Sequence, residues 1–451
     1  MVNDQYDAVV IGMGPGGEVA ASQLIKAGKR VAVVERELIG GECGYWACIP
    51  SKTLLRPLEA AAGAAGVAGL DGPHPDWAGM RSYRDTMIRH LDDSKQAEGY
   101  RSQGAAVFRG SAHLVDRDPW VVAVDGHRLT AEHVIVATGS SASKPPIEGL
   151  EEVEVWTNRQ ATTLEEIPGS AVVVGGSAVG VELGQFLARM GCSVTMVQRG
   201  PALMDREEPR VGELAAETLR GDGVDVRTGT APRRAYRRGR ESVLELDDGS
   251  EAVGDVVLLA TGRSPRLEGL ELDRVGVETG RRGLAVDERC RAAPGLWAVG
   301  DVTGVSMFTH VAKYQGRIVA SNILGGDRTA EYTGVPRVVF ADPEIAAVGL
   351  TAEQARKEGY DPVSAEVDLT EGLARPWTYE TSPRGHAGVV ADRTGRGLLG
   401  AWAVAPLAGE WIHTAALAVR EGIGIDRLRE GVFQFPTYSE GYMLAVEALD
   451  M

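Results

Sequence analysis

Two glycine-rich turns, each set between an apolar strand and a helix, constrain this chain more than any other feature. The first is Val9-Val-Ile-Gly12-Met-Gly14-Pro-Gly-Gly17. A GxGxxG at the end of a strand closes a tight turn, lets backbone approach a pyrophosphate, and aims a helix N terminus at it. The pattern predicts a buried strand over residues 6–11, a helix over 16–27 and a second strand over 31–35. Glu35 closes that second strand, where an acidic side chain meets a ribose hydroxyl. The second turn is Val174-Gly175-Gly176-Ser177-Ala-Val-Gly180, with strands expected at 171–175 and 193–198 and a helix at 178–190. Here Ser177 takes the place of the middle glycine. Two such units at low mutual identity predict an α/β protein with two Rossmann-like dinucleotide-binding domains, not an array of short repeats.

A length of 451 residues exceeds one ordinary hydrophobic core and calls for two or three domains. Between the glycine units, residues 80–103 read as one mostly polar helix. Lys144-Pro-Pro-Ile-Glu-Gly-Leu150 reads as a connector, because adjacent prolines neither continue a helix nor serve a central ladder. From about Tyr332 the chain turns to alternating strand-like runs such as 337–341, with helices at 351–358 and 408–421. That stretch carries no nucleotide signature and reads as α+β.

Net charge of −16 argues against phosphate backbones and anionic lipid as partners. No run of about 18 apolar residues marks a membrane span, and residues 1–7 lack the pattern of a leader, so a cytoplasmic location is expected. Four cysteines are too few for a disulfide scaffold; Cys192 and Cys290 stand alone and are expected as small buried hydrophobes.

The remaining two cysteines lie in Gly40-Gly-Glu-Cys43-Gly-Tyr-Trp-Ala-Cys48-Ile-Pro-Ser-Lys52, the most specific string in the chain. Residues five apart on a regular helix are too far separated for a disulfide, so pairing requires a distorted backbone. Pro50 supplies the cause: it removes the amide that would bond the Trp46 carbonyl and clashes with it. A strained, accessible disulfide is the exchangeable kind. A metal half-site would need further ligands, and no second Cys/His pair offers them; an inert thiol pair is the other alternative. Tyr45 and Trp46 either shape a substrate side or simply pack.

The string GGxCxxxxCxPSK resembles the active-site signature of the class I pyridine nucleotide-disulfide oxidoreductases, which include dihydrolipoamide dehydrogenase, glutathione reductase and mercuric reductase. The resemblance spans the whole chain. It implies an FAD domain over residues 1–150 and 271–331, an NAD(P) domain over 151–270, and an interface domain over 332–451 that makes a homodimer. FAD would be held by Gly12, Gly14, Gly17, Glu35 and Gly41, by the Ala137-Thr138-Gly139-Ser140 segment, and by Gly300 and Asp301 of a second FAD motif. Cys48 would lie against the flavin and Cys43 would exchange with a small disulfide or dithiol substrate. Lys52 and Glu182 match an ion pair beside the flavin N5.

The nicotinamide coenzyme would take Gly175, Gly180, Glu182, Arg199 and Gly262. Gln198 ends the second strand where an NAD unit would show Asp or Glu, and Arg199 follows it. Loss of the carboxylate removes a ribose acceptor and a repulsion against a 2′-phosphate, which Arg can pair, so NADPH is expected over NADH. The run from Val197 to Pro209 also looks like the corresponding segment of mercuric reductases.

One departure stands out. Phe435-Pro-Thr-Tyr-Ser-Glu440 lies over the family's HPTxSE segment, whose histidine is an acid-base for the exchange thiol. Phenylalanine cannot move a proton. Glu440 remains; Tyr438, with an ordinary pKa near 10, and His413 on the preceding helix are the nearest candidates in sequence for the lost role. Mercuric reductases also lack that histidine but carry a C-terminal cysteine pair, and no cysteine follows Cys290 here. An oxidoreductase acting on sulfur is the leading expectation. A quinone or dye reductase with a non-essential disulfide, and a redox sensor that switches on its cysteines, are the rivals.

Overall fold

The computed structural model describes residues 3–280 and 282–451. They form two compact units, one assembled up to Pro50 with Ser82–Ser143 and Gly262–Glu331, the other from Ser51–Arg81, Lys144–Thr261 and Tyr332–Met451.

The first unit is built on a mostly parallel sheet. Strand β1 (Asn3–Ile11) leads through helix α1 (Pro15–Lys26) to strand β2 (Val31–Glu35), and β1 lies between β2 and the strand His127–Val136. The sheet continues to Ala106–Arg109 on one side and Leu296–Ala298 on the other. In Val31–Glu35 the first four residues are valines and an alanine buried on both faces, as a parallel strand covered by helices must be. The helix Thr309–Ile323 packs on α1, and Gly316 is what allows it: a Cβ there would stand 2.6 Å from the Gly16 carbonyl.

Residues 80–103 correct the expectation of one helix. Helix Trp77–Met87 stops, Arg89, His90 and Leu91 each adopt positive φ (50–58°), and a new helix starts at Ser94. The Asp92-Asp93-Ser94 sequence competes with the helix: Asp92 Oδ1 accepts from Ser94 N–H at 2.8 Å, while Asp93 is drawn off to Ile39 and Arg109.

In the second unit, five parallel strands run in the order Asp225–Thr228, Ser193–Gln198, Ser170–Val174, Val256–Leu259, Val155–Trp156. A three-stranded antiparallel sheet, Pro232–Arg238 to Glu251–Gly254, accompanies it. Beyond Tyr332 the chain forms a five-stranded antiparallel sheet, from Arg337–Val339 through Glu344–Gly349, Leu398–Ala405 and His386–Asp392 to Pro362–Asp368, with the helix Ala408–Arg420 against it. The fold is thus α/β with two dinucleotide-type sheets and a C-terminal α+β layer. Among the described residues no helix is long and apolar enough to cross a membrane.

Candidate functional site

The two glycine turns share one geometry. Gly12 (φ 96°) donates its N–H to the Val34 carbonyl at 2.8 Å; Gly175 (φ 109°) does the same to Val197 at 2.8 Å. A Cβ on Gly17 would fall 2.1 Å from the Gly12 carbonyl oxygen, and one on Gly180 would fall 1.9 Å from that of Gly175, so both glycines are required by turn-to-helix packing. Gly14 differs: among the described residues, beyond its two chain neighbours, no atom lies within 4 Å of where its Cβ would stand. Packing does not require glycine there, which leaves clear backbone facing the start of α1 for a ligand. Among the described residues no side chain caps α1 or the helix Ala178–Arg189, so their first N–H groups stay available to a phosphate. Ser177 occupies the Gly14 position in the second turn, and its Oγ donates to the Ala260 carbonyl at 3.3 Å.

Glu35 and Gln198 brace these turns from the ends of their strands. Glu35 Oε2 accepts from Met13 N–H at 2.7 Å and Oε1 from Glu37 N–H at 2.8 Å, leaving lone pairs for a ribose hydroxyl. Gln198 Oε1 accepts from Gly176 N–H at 2.9 Å. Gly41 (φ 60°) meets the first turn directly; a Cβ on it would stand 2.7 Å from Gly14 Cα. Gly139 and Gly262 also hold positive φ, 71° and 107°. Thr138 Oγ1 donates to the Arg266 carbonyl at 2.7 Å. Gly300 N–H donates to Gln315 Oε1 at 2.6 Å, and Asp301 accepts from Ser140 Oγ. Arg263, which sequence reasoning did not single out, gathers this corner: its Nε donates to Ser140 Oγ at 2.7 Å, with Asp301 3.8 Å away and Glu42 3.7 Å away.

Between the cysteines the helix breaks where Pro50 predicts. Helix α2 (Gly41–Tyr45) ends at Trp46, whose φ of −135° is not helical, and helix α3 (Cys48–Ala65) begins afresh. The break brings the two side chains into hydrogen-bonding contact as thiols. Cys43 is pushed well above the ordinary thiol range, first by that hydrogen bond with Cys48, then by burial and the charge of Cys48; Thr309 and Lys313 pull the other way. Cys48 Sγ sits 3.3 Å from Thr309 Oγ1, at the first turn of the helix Thr309–Ile323. Thr309 lies in no motif and left no signal in the sequence. Tyr45 is buried, with its hydroxyl donating to the Ile39 carbonyl at 3.1 Å, so it packs. Cys192 and Cys290 are buried, and burial raises the Cys192 thiol to about 12.

Lys52 and Glu182, 130 positions apart, form an ion pair at 2.7 Å. The other Glu182 oxygen accepts from Phe340 N–H at 2.9 Å, and Lys52 Nζ lies 4.7 Å from the Phe340 ring centre. Lys52 and Phe340 border a cleft of about 370 Å³, together with Arg56, Glu59, Gln185 and Tyr379.

Phe435 is exposed, and Glu440 Oε2 accepts from Thr437 N–H at 2.8 Å. Tyr438 is buried against Trp411 and Tyr379, its hydroxyl oxygen without a hydrogen-bond partner among the described residues, and burial pushes its pKa above the ordinary phenol range. Its phenolate is therefore even less populated near neutral pH than that of a tyrosine in water. His413 lies on the exposed side of its helix. Among the described residues no group of three His, Cys, Asp or Glu side chains is arranged for a metal ion.

Residues 6–316 match the family model for pyridine nucleotide-disulphide oxidoreductases, and residues 335–446 match the dimerisation domain of the same family. The chain belongs to this family. As a family member it is an oxidoreductase of the flavoprotein disulfide reductase type, a group that uses FAD and pyridine nucleotides. A mercuric reductase from Streptomyces lividans is 36% identical over 457 residues, covering 98% of this chain and 96% of the relative. A dihydrolipoyl dehydrogenase from Thermus scotoductus is 36% identical over 463 residues, covering 98% and 97%. The HOCl-induced flavoprotein disulfide reductase RclA from Escherichia coli superposes with a TM-score of 0.86 at 27% identity, covering 98% of this chain and 99% of that one.

Proposed function

We propose that this flavoprotein passes electrons from a reduced nicotinamide coenzyme to the Cys43/Cys48 pair, and from there to a small disulfide. The contact between the two cysteines across a broken helix, with Thr309 behind Cys48, carries the reading. The residues around the first turn fit an FAD: clear backbone at Gly14, an uncapped helix N terminus, and the Glu35 carboxylate at the strand end. When bound, FAD supplies the two-electron relay between the coenzyme and the disulfide. Gly12, Gly14, Gly17, Glu35, Gly41, Thr138, Gly139, Gly300 and Asp301 would hold it. Gly175, Gly180, Arg199 and Gly262 would hold the coenzyme, and the Lys52–Glu182 pair would order the place where hydride moves.

The chemistry of the reduced pair follows from its thiols. The Cys43 thiol loses its proton to solvent and the thiolate attacks one sulfur of the substrate disulfide; the substrate S–S bond breaks, a mixed disulfide forms, and the first substrate thiolate leaves and takes a proton from solvent. Cys48 then loses its proton and attacks Cys43 Sγ, the Cys43–Cys48 bond forms as the mixed disulfide breaks, and the second substrate thiolate departs and is protonated. The same steps reversed oxidise a dithiol. Residues 335–446, the dimerisation domain, support a homodimer as the working form.

Anaerobic titration of the oxidised protein with reduced coenzyme, counting thiols as the flavin spectrum changes, tests this. Release of thiols with the first equivalents is the expected result; flavin bleaching without new thiols would remove the cysteines from the path. Phe435, exposed where the family's histidine is expected, favours one rival, a quinone or dye reductase.

A further inference from the structure

The loop after the strand Ser193–Gln198 returns a carboxylate to the place where the strand itself lacks one. Gln198 has both polar ends engaged: Oε1 accepts from Gly176 N–H at 2.9 Å and Nε2 donates to Asp205 Oδ2 at 3.3 Å. Two features hold Asp205 there. Met204, directly before it, is in the left-handed region at φ 50°, and its N–H is anchored on the Gly176 carbonyl at 2.9 Å. Gly200 leaves the room: a Cβ on it would stand 2.9 Å from both Asp205 Oδ2 and Gln198 Nε2. A non-glycine residue kept at positive φ needs surroundings that over-determine it, and such positions gather at ligand sites.

We propose that Asp205 is the residue by which this chain tells a 2′-hydroxyl from a 2′-phosphate on the adenosine of its nicotinamide coenzyme, favouring the hydroxyl. The proposal rests on reading the second glycine turn as the coenzyme site. In a unit of this kind the end of the second strand is where that ribose is read, by a carboxylate that accepts from the hydroxyl or by a cation that pairs the phosphate. Gln198 is neutral. The Asp205 carboxylate supplies the acceptor and sets a like charge against a phosphate. Arg199 is exposed, makes no ion pair within 4 Å among the described residues, and pulls the other way. Of the two charges Asp205 is the one already placed, whereas the guanidinium must be ordered out of solvent at an entropic cost. The balance opposes the NADPH preference that Gln198 and Arg199 imply when read alone.

Calorimetric titration of the FAD-loaded protein with ADP-ribose and with 2′-phospho-ADP-ribose measures the discrimination without turnover. The wild type is expected to bind ADP-ribose more tightly. Asp205→Asn should raise the relative affinity for the 2′-phosphate by about tenfold or more, the scale of one charge–charge contact near a surface. Asp205→Ser should do the same, separating loss of charge from the geometry of the amide, and Arg199→Ala should move the ratio in the opposite sense. A ratio held within about twofold in both Asp205 variants, with both ligands still binding, would overturn the proposal and leave the coenzyme site standing. Failure of both ligands to bind the wild type would overturn the coenzyme-site reading, and the proposal with it; tighter binding of 2′-phospho-ADP-ribose by the wild type would overturn the proposal alone.

Discussion

Lys52 Nζ lies 2.7 Å from Glu182 Oε2, and the second oxygen of Glu182 is held by the Phe340 N–H at 2.9 Å. The carboxylate is therefore oriented from two sides, while the Lys52 side chain keeps 34% of its surface exposed. Glu182→Gln keeps the acceptor for Phe340 and removes the charge. The rate of flavin reduction by reduced coenzyme, followed by stopped flow, should fall by roughly 10–100-fold with FAD content unchanged. An unaltered rate would reduce the pair to a structural tie.

The Cys43 thiol is raised chiefly by its hydrogen bond with Cys48. In the reduced Cys48→Ala variant that cause disappears, so the pH midpoint for alkylation of Cys43 should move down toward the ordinary thiol value of about 8.5. A midpoint that stays put, or rises, would mean burial dominates instead.

Cys43→Ser separates the electron path from its rival. Reduction of small disulfides should be lost by a factor of about 10³ or more while quinone reduction, which needs no exchange thiol, survives. If disulfide turnover persisted in this variant, the exchange role would belong elsewhere.

Glu344 is raised to about 6, first by burial, against a hydrogen bond from Gly409 N–H that lowers it. A carboxyl whose folded pKa exceeds its unfolded value binds more protons in the native state, so its contribution to stability is present at low pH and is lost as pH rises through about 6. Glu344→Gln should flatten that dependence. The variant-minus-wild-type unfolding free energy, from denaturant curves, should increase by about 2 kcal/mol between pH 4.5 and pH 7. A difference independent of pH would show that the carboxyl titrates normally.

Phe435 is exposed, with Glu440 five residues on and hydrogen-bonded to Thr437 N–H. Phe435→His offers an imidazole where the resemblance expects one. Turnover with disulfides should rise several-fold and acquire a pH limb near about 6.5, the ordinary histidine value. An unchanged profile would place the acid-base function on another group.

Much of this was legible along the chain because it depends on local pattern. Buried parallel strands read as apolar runs, and the two turns show themselves because Gly12 and Gly175 need positive φ while Gly17 and Gly180 have no room for a Cβ. Pro50 announces the break between the cysteines through a missing amide. The single helix expected over 80–103 failed because tertiary partners won: Asp93 is pulled to Ile39 and Arg109, and the chain between the two helices runs left-handed.

By itself the sequence determined what adjacent residues impose on one another: the α/β alternation, the glycine turns, the cysteine spacing and its family signature. Only the tertiary structure decided which distant groups meet. Thr309, which belongs to no motif, reaches Cys48 across 261 positions, and Phe340 orients Glu182 across 158. Asp205 folds back on Gln198 because Met204 is anchored to Gly176, a backbone contact with no trace in residue type. Local periodicity specifies an element, but long-range hydrogen bonds and charges arise only once packing has fixed which surfaces face each other.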